Sequence, residues 1–165
     1  PDAKTFIYAF LLGAGDELIG KIVKGTAKDG RRTKRQFIAN FPGLAELLDS
    51  LAEERERSGR ITLADGTPII VSQAHTVLGY LLQGDESRIM KLAAILVDEM
   101  VRREGLDVLK VGDIHDEWQS DVLTEHVERY IEICHICFKK AGEQLDYKIP
   151  IECDAKVGKT WAETH

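Results

Sequence analysis

Three consecutive residues, His115, Asp116 and Glu117, bring an imidazole and two carboxylates to one point of the chain. An apolar-rich run at 108–111 leads into them and a more alternating segment follows, the pattern of a tight β-hairpin with acids at its tip. Adjacent carboxylates at such a turn are costly to place unless water solvates them or positive charge sits against them. Water and a metal ion are the two candidates, and the triplet by itself leaves water ahead. Near the other end of the chain, Lys4, Tyr8 and Leu12 fall at i, i+4 and i+8, one face of a helix. The more continuously apolar side of that helix carries Phe6, Ile7, Phe10 and Leu11. Cys134 and Cys137 form a CxxC with His126 and His135 nearby. No second pair stands at ligand spacing, and both thiols lie on or beside an apolar helical stripe, so packing outweighs zinc.

These residues need elements to position them. Residues 2–12 contain no internal Gly or Pro and read as a helix that Gly13-Ala14-Gly15 ends. Asp16 is expected to cap a second helix at 17–24, and 25–30 reads as a loop before a third helix at 31–41. Pro42 suits the first turn of a fourth, with Leu44, Leu47, Leu48 and Leu51 as its buried stripe and a charged, exposed far end. Residues 60–64 and 67–71 flank Asp65-Gly66, a hairpin signal, and Pro68 suggests an edge strand. From about 73 to 103 the pattern is helical, with a polar, glycine-containing interruption at 83–87 that marks a bend, a break or a functional surface. Beyond the central hairpin, Thr124 is expected to cap a helix with the stripe Val127, Ile131, Cys134 and Phe138. Residues 148–153 read as a last strand, and 156–165 as a tail anchored by Trp161.

With 165 residues and 44% hydrophobic content, the chain can bury one good-sized core or two small lobes sharing one. No apolar run approaches the roughly 18 residues of a membrane span. No leader pattern opens the chain, so secretion is not indicated. Three cysteines without framework spacing suggest reduced thiols in a cytosol-like compartment. The net charge of −6 argues at first against a nucleic-acid partner. Its distribution is uneven: residues 21–35 hold seven cations against the single acid Asp29. Such asymmetry marks either a phosphate-binding face or a solvated helix, and charge alone slightly favours the second.

The opening helix and the central hairpin, taken together, add a resemblance. Lys4-Thr5-Phe6-Ile7-Tyr8-Ala9-Phe10-Leu11-Leu12-Gly13-Ala14-Gly15 resembles motif B, the fingers helix of family A (Pol I-like) DNA polymerases. The nearer likeness is to the replicative enzymes of T-odd bacteriophages. Ile114-His115-Asp116-Glu117 resembles their motif C, and His75, Leu78 and Gln83 are similar to the helix that faces the primer-template minor groove. Val157-Gly158-Lys159-Thr160-Trp161-Ala162, ending at His165, is similar to the C-terminus of those phage enzymes. Four motifs in the correct order span essentially the whole chain.

The resemblance implies an α+β fold: a helical fingers segment with its connecting hairpin over 1–72, then the C-terminal half of a polymerase palm over 73–165. In that palm a β-hairpin and a last strand pack on long helices. It implies template-directed DNA polymerisation by nucleotidyl transfer, with two Mg2+ ions about 3.5–4 Å apart. Lys4 is expected at the incoming triphosphate and Tyr8 at its sugar and base. Asp116 is expected to be a catalytic metal ligand, with Glu117 assisting nearby. His115 is expected close to the primer end, a role evenly matched by simple hydrogen bonding at the tip. His75 and Gln83 are expected at the DNA minor groove, where acceptors recur on every base pair; a polar residue at a helix break is nearly as good an account of Gln83. The basic window is a candidate for template or product phosphates. Implied partners are primer-template DNA, deoxynucleoside triphosphates and an upstream polymerase half, with no membrane, in the cytoplasm of an infected bacterial cell. The chain departs from the pattern at Leu12, where an aromatic residue is usual. It departs again at Ala9, Gly79 and Ser72, where the phage enzymes carry Gly, Asn and Arg. The second catalytic aspartate of motif A has no counterpart in these 165 residues. The expectation is a chain inactive without an upstream half, sharing one metal with that aspartate. The rival readings are a non-catalytic DNA-binding remnant and an acidic helical interaction module.

Overall fold

Helix punctuation in the sequence is obeyed in part through the first third of the chain. In a computed structural model that describes residues 3–164, α1 (Ala3–Leu11) ends where Gly13 turns left-handed at φ 81°. The Ala14 N–H then donates to Ala9 O, and that of Gly13 to Phe10 O, the bond pair that closes a helix C-terminus. The expected first residue of this helix, Asp2, lies outside the described residues. α2 (Asp16–Ile22) begins one residue early, because Gly15 is its N-cap and the Asp16 carboxylate turns to Arg31 and Lys34 instead. α3 (Ala27–Ala39) also starts earlier than expected: part of the predicted 25–30 loop is helical. The reason is a capping box, in which the Thr26 hydroxyl accepts from the Asp29 N–H while the Asp29 carboxylate accepts from the Thr26 N–H. Gly30 is thereby carried inside a helix, where a Cβ would lie 2.1 Å from the Asp16 carbonyl oxygen. Glycine at this point lets α2 and α3 touch backbone to backbone.

α4 (Pro42–Ser58) has Pro42 in its first turn, as expected, and closes on Gly59 at φ 70°. Leu51 is buried and Leu44 and Leu48 pack on the same core, but Leu47 is exposed. β1 (Arg60–Thr62) and β2 (Pro68–Ile70) pair antiparallel across the Asp65-Gly66 turn, with Thr62 opposite Pro68. A 3₁₀ turn at Ala74–Thr76 then enters α5 (Val77–Glu104). The expected interruption at 83–87 leaves α5 unbroken. Gly84 is small there because Leu63 lies against it, with a Cδ atom 2.7 Å from the position a Cβ would take.

The chain divides into two compact units, one up to Gly84 and one from Asp85. The first is centred on Phe10, Leu51, Ile61, Val71, Val77 and Leu78, with Phe6 and Phe37 packed around them. The second holds β3 (Val108–Ile114), β4 (Glu117–Val122), a 3₁₀ turn at Thr124–His126, α6 (Val127–Gln144) and the short α7 (Trp161–Thr164). Its core joins Ala93, Val97 and Val101 of α5 to Ile133, Cys134, Cys137, Phe138 and Ala141 of α6. The CxxC thiols are therefore packing groups, and burial pushes Cys134 up to about 12. The fold is α+β, with one correction. Residues 148–153 form no strand: Pro150 lacks an N–H, and Ile151 and Cys153 pack their side chains on the α5–α6 core, with β3 and β4 pairing only each other among the described residues. The tail is likewise not anchored by burial of Trp161, which is 53% exposed. Thr164 ties it down by donating to the Gln119 side chain at 3.3 Å. His165 lies outside the described residues. Among the described residues no helix is long and apolar enough to cross a membrane.

Candidate nucleotide and metal sites

The acidic hairpin forms as its sequence suggests. Ile114 pairs with Glu117, so His115 and Asp116 alone make the turn. His115 takes φ 53°, a left-handed conformation that histidine tolerates better than most side chains. Both turn residues are exposed, and Glu117 is half-buried at the start of β4. The arms are held from below by α6. Tyr130 Oη accepts from Trp118 Nε1 at 3.0 Å and lies 2.7 Å from Ser120 Oγ, while Trp118 stacks on Phe138 at 5.3 Å. Burial raises the Tyr130 hydroxyl to about 12, so it stays protonated and serves as a fixed strut. A shift in register between Lys110 and Gly112 bulges β3. Lys110 bonds Asp113 at 2.9 Å and lies over the Trp118 ring at 5.7 Å, which neutralises Asp113 and leaves Asp116 outside that pair.

Gln119 and Thr164 escaped the sequence reading. Gln119 donates to Glu117 at 3.4 Å and accepts from Thr164 at 3.3 Å, so a short relay reaches from the tail to the residue beside Asp116. Strand periodicity already places Glu117 and Gln119 on one face. Nothing in the sequence predicted Thr164, because its contact spans 45 positions.

In the first unit, α1 separates its faces as the spacing requires. Phe6 and Phe10 turn inward, each within ring contact of Phe37 at 5.2 and 5.0 Å. Lys4 and Tyr8 face solvent, with the ammonium 5.8 Å from the centroid of a ring that is 58% exposed. Leu12, one turn on, is 54% exposed. The end of α1 is fixed by backbone: a Cβ on Gly13 would lie 2.1 Å from the His75 carbonyl oxygen, and one on Gly79 would lie 3.4 Å from Leu11 O. His75 and Gln83 are both exposed, the first on the 3₁₀ turn and the second on α5. Ser72 contributes its carbonyl, which accepts from Arg55 at 2.6 Å.

The basic window is only partly available. Arg31 bonds Asp16 at 2.8 Å, Lys34 reaches the same carboxylate at 3.3 Å, and Arg32 bonds Asp29 at 3.0 Å. The guanidinium of Arg31 leads the causes that hold the Asp16 carboxyl below its usual range. Among the described residues no group of three or more His, Cys, Asp or Glu is arranged to hold a metal.

These features have relatives. The chain is 35% identical over 171 residues to a DNA-directed DNA polymerase of Escherichia phage Phieco32, covering 99% of this chain and 28% of that protein. It is 31% identical over 185 residues to the DNA-directed DNA polymerase of Escherichia phage T7, covering 99% of this chain and 26% of that one. The chain thus spans little more than a quarter of the length of these relatives. Its fold is like that of the POL domain of Pol1 from M. smegmatis, solved in complex with DNA primer-template and dNTP. The TM-score is 0.75 at 18% identity, over 84% of this chain and 26% of that one. The model of DNA polymerase family A matches residues 1–163, and the chain belongs to that family.

Proposed function

We propose that this chain is the C-terminal fingers-and-palm portion of a template-directed DNA polymerase, with fingers over 1–72 and palm from 73 onward. The observation that carries the reading is the Lys4–Tyr8 pair. A cation and an aromatic ring stand together on the solvent face of α1, while the phenylalanines of the same helix fill the core. An ammonium and a ring one turn apart can engage the phosphates and the sugar-base portion of a single nucleotide.

Lys4 supplies positive charge to the triphosphate, and Tyr8 offers its ring and hydroxyl to the sugar and base. His115 lies at the primer end. His75 and Gln83 present donors to minor-groove acceptors common to every base pair, which checks geometry without reading sequence. Asp116 is the metal-ligating carboxylate. Mg2+ is commonly held by one or two carboxylates, with water and substrate phosphates completing its shell, and an exposed aspartate at a two-residue turn suits that role. Two Mg2+ ions, when bound there, would supply charge neutralisation at the phosphoryl group and lower the pKa of the primer hydroxyl. Glu117, oriented through Gln119, supports the hairpin tip beside Asp116. The second aspartate comes from an upstream half outside these residues. Leu109, Val111 and Ile95 of the second unit, each more than half exposed, are apolar surface for that half to cover.

The test is reconstitution. The chain and a separately produced upstream half of a related phage polymerase are mixed with primer-template, Mg2+ and dNTPs. Primer extension by the mixture, and by neither part alone, is the expected result. Extension by this chain alone refutes the division of labour.

A further inference from the structure

We propose that the outer face of α3 is a phosphate-binding track for the single-stranded template on its way to the nucleotide site; the assignment to template rests on the polymerase reading. Lys28, Arg31, Arg32 and Arg35 fall at i, i+3, i+4 and i+7, so they form one stripe along the helix. All four are exposed, while the opposite face turns Gly30, Thr33, Phe37 and Ile38 inward. The stripe is about 10 Å long at 1.5 Å per residue, enough to meet successive phosphates of one strand. Counting Lys34, five cations face the two acids Asp16 and Asp29, a local net charge of +3 on a chain whose total is −6.

The two arginine pairs do not cancel the stripe. Exposed ion pairs contribute about 0–1 kcal/mol, so a phosphate can compete with either acid at little cost. Each is also made through a single guanidinium nitrogen, Nε of Arg31 and Nη2 of Arg32, which leaves the other donors of the fork for a phosphate oxygen. Among the described residues Lys28 and Arg35 are in no ion pair, although Lys28 adds positive charge near Asp29. The choice of single strand over duplex follows from where α3 is tied. Lys34 Nζ donates to Ala14 O at 3.1 Å, two residues beyond Leu12. Arg31 likewise reaches Asp16 at 2.8 Å, so the stripe runs outward from the end of the helix that carries Lys4 and Tyr8, where an unpaired template strand would arrive.

The test uses the chain with its upstream half and the double variant Lys28→Gln/Arg35→Gln, which breaks no ion pair and no cap. Binding is measured by fluorescence anisotropy against salt. One primer-template carries a long 5′ template overhang and the other a one-nucleotide overhang. On the long overhang the variant should bind about tenfold more weakly at about 100 mM salt, and the slope of log K against log salt should fall by about 1.4, two single-strand contacts at about 0.7 each. On the short overhang binding should be unchanged. Equal losses on both substrates would overturn the single-strand assignment in favour of duplex contact, and no loss on either would overturn the track altogether. Should the reconstituted pair fail to extend primers yet bind single-stranded oligonucleotides in a stripe-dependent way, the polymerase reading falls and the track stands.

Discussion

At the scale of single residues, the proposed chemistry concentrates on Asp116 and Tyr8, and both can be probed without disturbing the core. Asp116 is exposed at a turn, so Asp116→Ala removes a carboxylate and no packing. Metal-borne charge stabilisation is worth several kcal/mol, and each 1.36 kcal/mol is tenfold in rate. Primer extension by the reconstituted pair should therefore fall by about 10²-fold or more, while the thermal midpoint of the chain stays put. Full retained activity would end the metal role. Tyr8→Phe keeps the ring over Lys4 and loses only the hydroxyl. The family resemblance implies poorer incorporation of dideoxynucleotides relative to deoxynucleotides after that change, read from chain-termination ladders; an unchanged ratio removes Tyr8 from the sugar. How much of this was legible in the sequence varies by residue. The split of α1 into a phenylalanine face and a Lys-Tyr face follows from helical spacing and appears as expected. The Thr164–Gln119–Glu117 relay was not legible, because no local rule brings residue 164 to residue 119.

At the scale of elements, the start of α3 and its seat on α2 control the basic stripe. The Asp29 carboxyl is held below its usual range chiefly by the Thr26 N–H, then by the Thr26 hydroxyl. A carboxylate with a depressed folded pKa adds stability that is complete above its unfolded value of about 3.9 and is lost as pH falls through the lower folded value. Thr26→Ala should cost about 1 kcal/mol at neutral pH, in line with other lost N-caps, and urea titration measures it. The same variant should show a shallower stability loss below pH 4, since one of the hydrogen bonds depressing Asp29 is gone; an identical acid limb would mean that the box does not set this pKa. Gly30→Ala tests the seat. Helix propensity alone favours alanine by about 1 kcal/mol. A methyl 2.1 Å from a backbone oxygen of α2 has nowhere to go, however, and overpacking costs about 1–3 kcal/mol or more. A net loss of stability is expected, and a gain would show that α2 can yield.

At the scale of the whole molecule, length and composition allow one good-sized core or two small lobes sharing one, and the structure instead gives each of two units its own core. Val77 and Leu78 at the start of α5 belong to the first core, and Ala93, Val97 and Val101 further along belong to the second. The exposed apolar side chains of the second unit bear on assembly. Leu109→Lys/Val111→Lys should leave the stability of the chain within about 0.5 kcal/mol, as surface changes do. The same variant should weaken reconstitution with the upstream half about tenfold in a titration of primer extension. Undiminished reconstitution would place that half elsewhere.

The sequence by itself determined what depends on near neighbours along the chain: which residues share a helix face, where Gly13 and Gly59 stop helices, where Asp65-Gly66 and His115-Asp116 reverse strands, and which motifs stand in order. Those choices are settled by backbone geometry and spacing within a turn or two. Only the tertiary structure decided that Arg31 and Lys34 of the basic window are paired, since Asp16 reaches them across a helix-helix contact. It alone showed why Gly30 and Gly84 are small, because the atoms they make room for come from Asp16 and Leu63. It also kept residues 148–153 out of the sheet: an apolar side chain goes where the most surface can be buried, and for Ile151 that place is Gly142 of α6, not the edge of the hairpin.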